Sequence, residues 1–206
     1  MKIIGLIGMP GSGKSEASKV AHQMGLPVVV MGDVIRQEAM RLDLEPTDEN
    51  LGKVGNMLRE QEGPSVIAKR TMEMARRLGK KIVIVDGLRS KAEVDLFRSS
   101  LAEFKLVEIW SPPEARLKRI MARGRSDDAN FGSIVDNAKI IKSAGDVPFV
   151  AADSLERRDI RELSWGIYEA IKEADLRVCN EGDLDQFRRS VQGMLKNLIS
   201  NKTPVS

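Results

Sequence analysis

Histidine, cysteine and aromatic residues are scarce in this chain of 206 residues, which has one histidine, one cysteine and 4% aromatic residues. A single cysteine excludes an internal disulfide and a cysteine-based metal site. The lone histidine, His22, cannot form a multi-histidine metal site, and we interpret it as structural or exposed. Cys179 ends a short apolar run, and we interpret it as a small core residue.

Long apolar runs are also missing. No run approaches about 18 residues, so no membrane-spanning segment is expected. The amino terminus leads directly into a predicted strand, which leaves no room for a signal peptide, and we expect a cytoplasmic protein. The 33 basic and 30 acidic residues give a net charge of +3. This mild excess favours a charged surface with a basic pocket for an anionic ligand over a nucleic-acid partner.

The order of the patterns predicts one α/β domain over residues 1–206. Five apolar runs are predicted strands: Lys2–Gly8, Pro27–Met31, Lys81–Asp86, Phe104–Trp110 and Asp175–Cys179. Because these runs are uniformly apolar rather than alternating, the sheet should be covered on both faces. Strands that alternate with helices imply right-handed crossovers and a parallel sheet.

Helical patterns with recognisable ends lie between the strands. The first covers Ser15–Met24, and capping-box sequences at Ser90 and Ser111 precede two more. Leu155–Ala174 shows a helical period that predicts one continuous helix, through Ile160, Leu163, Ile167 and Ile171.

A phosphate-binding motif follows the first strand. The sequence from Gly8 to Ser15 fits G-x-x-x-x-G-K-[ST] without a mismatch, through Gly8, Met9, Pro10, Gly11, Ser12, Gly13, Lys14 and Ser15. In such a loop the glycines let consecutive N–H groups point into one concavity, which the next helix closes with its positive end. Lys14 should reach the β- and γ-phosphates of a bound ATP, and the Ser15 hydroxyl should lie on the Mg²⁺ ion.

Polar residues follow two further strands. Asp86 ends the third apolar run, where it could orient Mg²⁺ through water, contact a second substrate, or serve as a plain strand-end residue. Asp33 follows the second run and could cap the next helix or act in the cleft. Arg36 lies about one helical turn later, and Arg89 follows Asp86 closely. Two guanidinium groups are suited to clamping an oxyanion, so they indicate a phosphorylated acceptor.

A third basic cluster covers residues 116–125. Arg116, Arg119 and Arg123 fall on one helical face, and Arg125 lies just beyond the predicted helix. One interpretation is a solvated charged face. The other assigns Arg119, Arg123 and Arg125 to the transferring phosphoryl group, whose charge they would stabilise.

Taken together, these motifs resemble those of the adenylate-kinase-like nucleotide kinases. The corresponding stretches are GMPGSGKS, GDVIR, DGLRS, the lid-like RGRSDD and the C-terminal ADLRVCNEGDLDQF. They span nearly the whole chain in the family's order. The last stretch is also similar to dephospho-coenzyme A kinase. The nearest overall likeness is to an uncharacterised archaeal family of adenylate-kinase-related ATP-binding proteins.

The resemblance implies a three-layer P-loop NTPase fold with a five-stranded parallel sheet in the order 2-3-1-4-5. It implies a helical acceptor-binding subdomain at residues 33–80 and a lid segment at residues 124–145. ATP would bind with Mg²⁺, and Asn180 would fall in the adenine-contacting loop. Arg36 and Arg89 would hold the acceptor, beside the strand-end carboxylates Asp33 and Asp86 that their positions place at the same cleft, and Arg119, Arg123 and Arg125 would serve phosphoryl transfer. The family's further lid arginine has no counterpart in Ala129–Lys142.

Three functions remain open from the sequence. The enzyme could transfer the γ-phosphate of ATP to a phosphate, as nucleoside monophosphate kinases do, with no need for a general base. It could transfer it to a hydroxyl, as in dephospho-coenzyme A kinase, with Asp33 as the candidate base. It could also be an ATPase switch that reports its nucleotide state to a protein or RNA partner. A small anionic acceptor is the prediction that Arg36 and Arg89 favour.

Overall fold

A computed structural model describes residues 1–123 and 147–200. Its strands are β1 (Lys2–Ile7), β2 (Val28–Val30), β3 (Ile82–Leu88), β4 (Glu103–Trp110) and β5 (Leu176–Cys179). Its helices are α1 (Lys14–Gln23), α2 (Met31–Arg41), α3 (Asp48–Glu62), α4 (Val66–Arg77), α5 (Lys91–Ser100), α6 (Pro113–Arg123), α7 (Val147–Ser164), α8 (Ile167–Lys172) and α9 (Leu184–Ile199).

The five strands form one sheet in the order β2-β3-β1-β4-β5, with every pair parallel. The predicted fold and strand order are therefore confirmed. β1 lies at the centre, where Leu6 is in register with Asp86 of β3 and with Val107 of β4. The carboxyl ends of three neighbouring strands thus meet beside the loop that follows β1, which is where parallel α/β sheets bind ligands.

Successive residues of the central strands face two separate cores. On one face, Ile3 and Ile7 pack with buried residues from α2 to α5 and from α8. On the other face, Ile4 and Leu6 pack with buried residues from α1 and α9. The resulting helix–sheet–helix sandwich explains why the strand sequences are apolar throughout rather than alternating.

Several local predictions are wrong, each for a readable reason. The stretch Leu155–Ala174 is not one helix, because Gly166 adopts a left-handed conformation with φ of 84° between α7 and α8. Ile160 and Leu163 are 59% and 49% exposed, so they do not form a core stripe. Cys179 is exposed rather than buried, since it belongs to the edge strand β5.

Of the predicted helix caps, one is confirmed and two are wrong. Ser90 caps α5 as predicted, accepting a hydrogen bond from the Glu93 amide at 3.3 Å. The Ser111 hydroxyl instead donates to the Asn180 carbonyl at 2.9 Å, because a neighbouring loop offers a partner. Asp33 is not a helix cap either: α2 begins at Met31, which places Asp33 inside its first turn.

The two predicted excursions from the sheet have different outcomes. Residues 33–80 contain most of α2 and all of α3 and α4, and their predicted acceptor-binding role stays a prediction. The predicted lid at residues 124–145 lies outside the described residues. Within residues 1–123 and 147–200, no helix is long and apolar enough to cross a membrane.

The core makes a direct prediction about stability. Phe97 is fully buried and stacks on Phe104 with ring centroids 5.4 Å apart. Phe97→Ala should lower the free energy of unfolding by about 3–5 kcal/mol through lost burial and a cavity. Met40, which is 69% exposed on α2, provides the control, and Met40→Ala should change stability by less than about 0.5 kcal/mol. Urea unfolding of both variants would measure the difference, and equal losses would contradict the assignment of Phe97 to the core.

Candidate functional site: a P-loop cleft lined with arginines

Three adjoining cavities form a cleft beside the loop that follows β1. The main cavity is about 750 Å³ and is lined in part by Ser15, Val30, Asp33, Arg36 and Asp86. The junction cavity, about 120 Å³, shares four of these residues and adds Lys14, Arg89, Arg158 and Glu162. The arginine cavity, about 40 Å³, is lined in part by Arg36, Arg89, Arg158, Arg161 and Trp165. Their shared residues make the cleft continuous.

The loop of residues 8–13 connects the central strand β1 to α1. Gly13 precedes α1 with φ of 113°, and a β-carbon there would overlap the Asn180 side-chain amide. A β-carbon on Gly8 would overlap the carbonyl oxygen of Ile109. Both positions therefore require glycine, because the loop packs there against Ile109 and Asn180 without room for a β-carbon. This packing brings the loop and the positive amino-terminal end of α1 to the cleft.

Lys14 and Ser15 are the first residues of α1 and face the cleft. The Lys14 ammonium donates hydrogen bonds to the carbonyls of Gly8 and Met9, the second at 3.2 Å. It therefore lies across the loop and lines the junction cavity together with Pro10 and Gly11. Ser15 lines both the main and the junction cavities. The structure brings together the residues predicted to hold a phosphate chain.

Asp86 is buried within β3 and lines the same two cavities as Ser15. Its carboxylate accepts a hydrogen bond from the Ser18 hydroxyl at 2.8 Å. Among the described residues, no group of three or more His, Cys, Asp or Glu is arranged to hold a metal. A hydroxyl and a carboxylate still fit Mg²⁺, which prefers oxygen and takes most of its ligands from phosphates and water at such sites.

The predicted acceptor residues line the cleft, and each arginine has an acidic neighbour. Arg36 donates to the Asp33 carboxylate at 2.6 Å and lines all three cavities. Arg89 lies 3.5 Å from a carboxylate oxygen of Glu162 and lines the two smaller cavities. The two guanidinium groups are thus brought to one cavity, the junction cavity, which also contains Lys14.

Helix α7 supplies cleft residues that the sequence analysis missed. Arg158, Arg161, Glu162 and Trp165 all line the smaller cavities. Their spacing of i, i+3, i+4 and i+7 is that of one helical face. This spacing is visible in the sequence RRDIRELSW. The sequence analysis instead based the helical period on the apolar residues Ile160 and Leu163. The inward face of α7 is therefore charged.

Trp165 gathers guanidinium groups around its ring. The guanidinium carbons of Arg59, Arg89 and Arg161 lie 4.4, 5.6 and 5.7 Å from the ring centroid. The indole N–H donates to the Asn56 side chain at 2.8 Å. The negative face of an aromatic ring attracts cations, so Trp165 offsets part of the repulsion among these arginines.

Asp48 binds the other side of the arginine group. Arg161 donates to both carboxylate oxygens, at 2.8 and 2.9 Å, and the Nε of Arg158 lies 3.2 Å away. Burial acts to raise the pKa of Asp48. The hydrogen bonds from Arg161 and the charges of Arg158, Arg161 and Arg89 lower this pKa, and together they outweigh the effect of burial. The pKa of Asp48 therefore lies below its ordinary value. These bonds join α3 to α7.

The Asn180 side chain binds the phosphate-binding loop and lines none of the three cavities. Its amide nitrogen donates to the Ser12 carbonyl at 2.9 Å, and its side-chain oxygen accepts from Arg119 at 3.1 Å. Arg119 also donates to the Ser111 hydroxyl at 2.7 Å and to the Asn180 carbonyl at 2.8 Å. Burial lowers the pKa of Arg119. Asn180 is only 5% exposed.

Arg116 and Arg119 of α6 bind neighbouring groups and do not belong to a solvated charged face. Arg116 is 7% exposed; it donates to the Pro10 carbonyl at 3.0 Å and forms a two-pronged ion pair with Asp159. Arg119 contacts the phosphate-binding loop at the Gly11 carbonyl, 3.4 Å away. The Arg123 side chain and the whole of Arg125 lie outside the described residues, so their predicted catalytic role stays a prediction.

Comparison with known proteins identifies the class and then the family. A family model described as an AAA domain matches residues 7–134. With the fold and the loop above, this match defines a P-loop protein. A UPF0200 protein from Methanothrix thermoacetophila is 51% identical over 198 residues, which cover 96% of this chain and 98% of the relative. The chain belongs to the UPF0200 family, and the predicted likeness to an archaeal P-loop family is confirmed.

Solved structures share the fold at low identity. A shikimate kinase from Bacteroides thetaiotaomicron matches with a TM-score of 0.52 at 16% identity, covering 96% of this chain and 98% of that one. A gluconokinase from Sinorhizobium meliloti matches with a TM-score of 0.51 at 16% identity, covering 97% and 94%. At this identity the likeness concerns the arrangement of strands and helices.

The Asp48 ion pairs predict a pH-dependent stability. Asp48→Asn should lower the free energy of unfolding at pH 7 by about 1–3 kcal/mol, since it removes charge-assisted hydrogen bonds. Because the folded-state pKa of Asp48 is depressed, the wild-type advantage is complete above the ordinary value of 3.8. It is lost as the pH falls through the lower folded-state pKa. Urea unfolding of both proteins at pH 7 and at successively lower pH values would measure this loss.

The matched control is Asp95, an exposed carboxylate paired with Lys91 on α5. Asp95→Asn should cost no more than about 0.5 kcal/mol, as exposed helix pairs do. An Asp48→Asn effect as small as this, or one independent of pH, would contradict the ion-pair assignment.

Proposed function

We propose that the protein is an ATP-dependent phosphotransferase that moves the γ-phosphate of ATP to a small anionic acceptor, a nucleotide or a phosphorylated metabolite. One observation carries the proposal: the junction cavity is lined both by Lys14 and Ser15 of the phosphate-binding loop and by Arg36, Arg89 and Arg158. A phosphate donor held by the loop would therefore lie beside a group of guanidinium ions suited to a second anion.

The donor half of the proposal rests on the loop. Its backbone N–H groups, the end of α1 and Lys14 would hold the phosphates, while Ser15 and Asp86 would hold Mg²⁺. When bound, Mg²⁺ would neutralise charge that develops on the transferring phosphoryl group. Asn180, Arg116 and Arg119 fix the loop from behind, which keeps these donors in position before the nucleotide arrives.

The acceptor half rests on the arginines. Arg36 and Arg89 are the residues that the resemblance to nucleotide kinases assigns to the acceptor, and both line the junction cavity. Arg158 adds a third guanidinium group there from α7, and we assign it to the acceptor or to the transferring phosphoryl group. The main cavity, about 750 Å³, is large enough for a metabolite of nucleotide size.

The test is ADP formation by the purified protein with ATP and Mg²⁺, alone and with each of a panel of acceptors. The panel contains the nucleoside monophosphates, dephospho-coenzyme A, unphosphorylated nucleosides, shikimate and gluconate. Strong stimulation by one compound, together with its phosphorylated product, would establish the kinase. Slow turnover that is indifferent to every compound would instead indicate the ATPase switch and a macromolecular partner.

Three variants separate the two halves of the site. Lys14→Ala should lower turnover by about 100-fold or more in every assay, since it removes a cation from the transferred phosphate. Arg36→Ala and Arg89→Ala should each raise the acceptor KM by about tenfold or more while ATP binding is retained. Arg189→Ala, on the exposed surface of α9, is the control that should leave KM and kcat unchanged. If Arg36→Ala and Arg89→Ala behaved like this control, a phosphorylated acceptor would lose its support.

A further inference from the structure

Glu162 is the cleft carboxylate whose partners are incomplete. It lies on the inward face of α7 and is 4% exposed, yet it lines the junction cavity. One carboxylate oxygen lies 3.5 Å from Arg89. The other, Oε2, is closed to solvent, and no hydrogen-bond donor of the described residues reaches it. A buried carboxylate oxygen without a hydrogen-bond donor destabilises the fold unless a ligand satisfies it.

The other carboxylates of the cleft are already engaged. Asp33 accepts a hydrogen bond from Arg36 at 2.6 Å, and its side chain is 46% exposed. Asp86 accepts from the Ser18 hydroxyl at 2.8 Å. Among the carboxylates of the described cleft residues, Glu162 is the one with a buried oxygen that has no hydrogen-bond donor. Its last side-chain torsion is soft and two-fold, so either oxygen can turn towards the cavity.

We propose that Glu162 is a catalytic residue that accepts the proton of the acceptor's attacking hydroxyl, so that the acceptor is an anionic alcohol and the product a phosphate ester. This inference rests on the proposed function and specifies its acceptor. The hydroxyl oxygen forms a bond to the γ-phosphorus as the bond from that phosphorus to the β-phosphate oxygen breaks. ADP leaves, the hydroxyl proton passes to the Glu162 carboxylate, and Glu162 later releases it to water.

The charges of the junction cavity support a hydroxyl over a phosphate as the reacting group. A phosphate oxygen that attacked beside Glu162 would bring a second negative charge towards a buried carboxylate, which is unfavourable. A neutral hydroxyl instead donates a hydrogen bond to whichever Glu162 carboxylate oxygen is turned towards the cavity. The anionic part of the acceptor can remain with Arg36 and Arg158, which line the same cavity. Base assistance of this kind contributes about 10²- to 10⁴-fold to a rate.

The test compares Glu162→Gln with wild type, because glutamine keeps the shape of the side chain and removes its charge. ADP formation is measured with dephospho-coenzyme A, shikimate, gluconate and water as hydroxyl probes, and with AMP and CMP as phosphate probes. We expect the kcat for the hydroxyl probes to fall by about 100-fold or more. The KM of the probe and the Kd of MgATP should stay within about twofold, which also shows that the variant is folded.

A phosphate acceptor would change turnover by Glu162→Gln in the opposite direction. If the acceptor group were a phosphate, Glu162→Gln would remove a repelling charge, and turnover with AMP or CMP would rise to give a phosphoanhydride product. That rise, or a kcat unchanged with every probe, would overturn the proposal. A purely structural role in holding Arg89 would raise KM and leave kcat intact, which would overturn it as well.

Two controls keep this result separate from the proposed function. Glu108 is a buried carboxylate paired with Arg177 on β5, and it lines none of the three cavities. Glu108→Gln should leave kcat unchanged. Lys14→Ala reports on the ATP site alone. Equal turnover by Lys14→Ala and wild type would refute the phosphotransferase, whereas an inactive Lys14→Ala with a fully active Glu162→Gln would refute only the role of Glu162.

Discussion

Repulsion among guanidinium groups is the constraint around which the cleft is built. Arg36, Arg89, Arg158 and Arg161 all line the arginine cavity of about 40 Å³. Like charges that line one small, partly buried cavity repel one another more strongly than they would in water. The fold offsets this repulsion with acidic neighbours on separate elements: Asp33, Asp48 and Glu162. An incoming anion would replace part of this compensation, so the cleft is stable without a ligand and still suited to bind one.

The phosphate-binding loop depends on residues that are distant in sequence. Gly8 and Gly13 permit the loop to lie against the Ile109 carbonyl and Asn180, and the Asn180 amide then fastens the Ser12 carbonyl. Arg116 and Arg119 bind further loop carbonyls. These bonds hold the backbone of the loop in one conformation, so in the proposed transfer its N–H donors would need no reorganisation as charge develops.

The sequence predicted features that are local and missed those that need contact between distant segments. Gly8–Ser15 has a fixed spacing, and the uniformly apolar strands follow from a sheet buried on both faces. The role of Asn180 beneath the loop could not be read from a sequence separation of 168 residues. Ser111 resembles a helix cap, but a tertiary partner was available for its hydroxyl. In α7, exposed Ile160 and Leu163 suggested the wrong inward face, and Arg158, Arg161 and Glu162 were overlooked.

Helix α7 links the two sides of the cleft that the proposed function assigns to the phosphate donor and to the acceptor. Through Asp159 it binds Arg116, which holds the phosphate-binding loop. Arg161 binds Asp48 of α3, and Glu162 faces Arg89 after β3. These residues lie within one helical turn, so they move together. Under the proposed function, a displacement of α7 that improved the contact with the acceptor would also act on the phosphate-binding loop. The ion pairs of α7 that it weakened would set its free-energy cost. Binding on the two sides should consequently be coupled through this helix rather than independent.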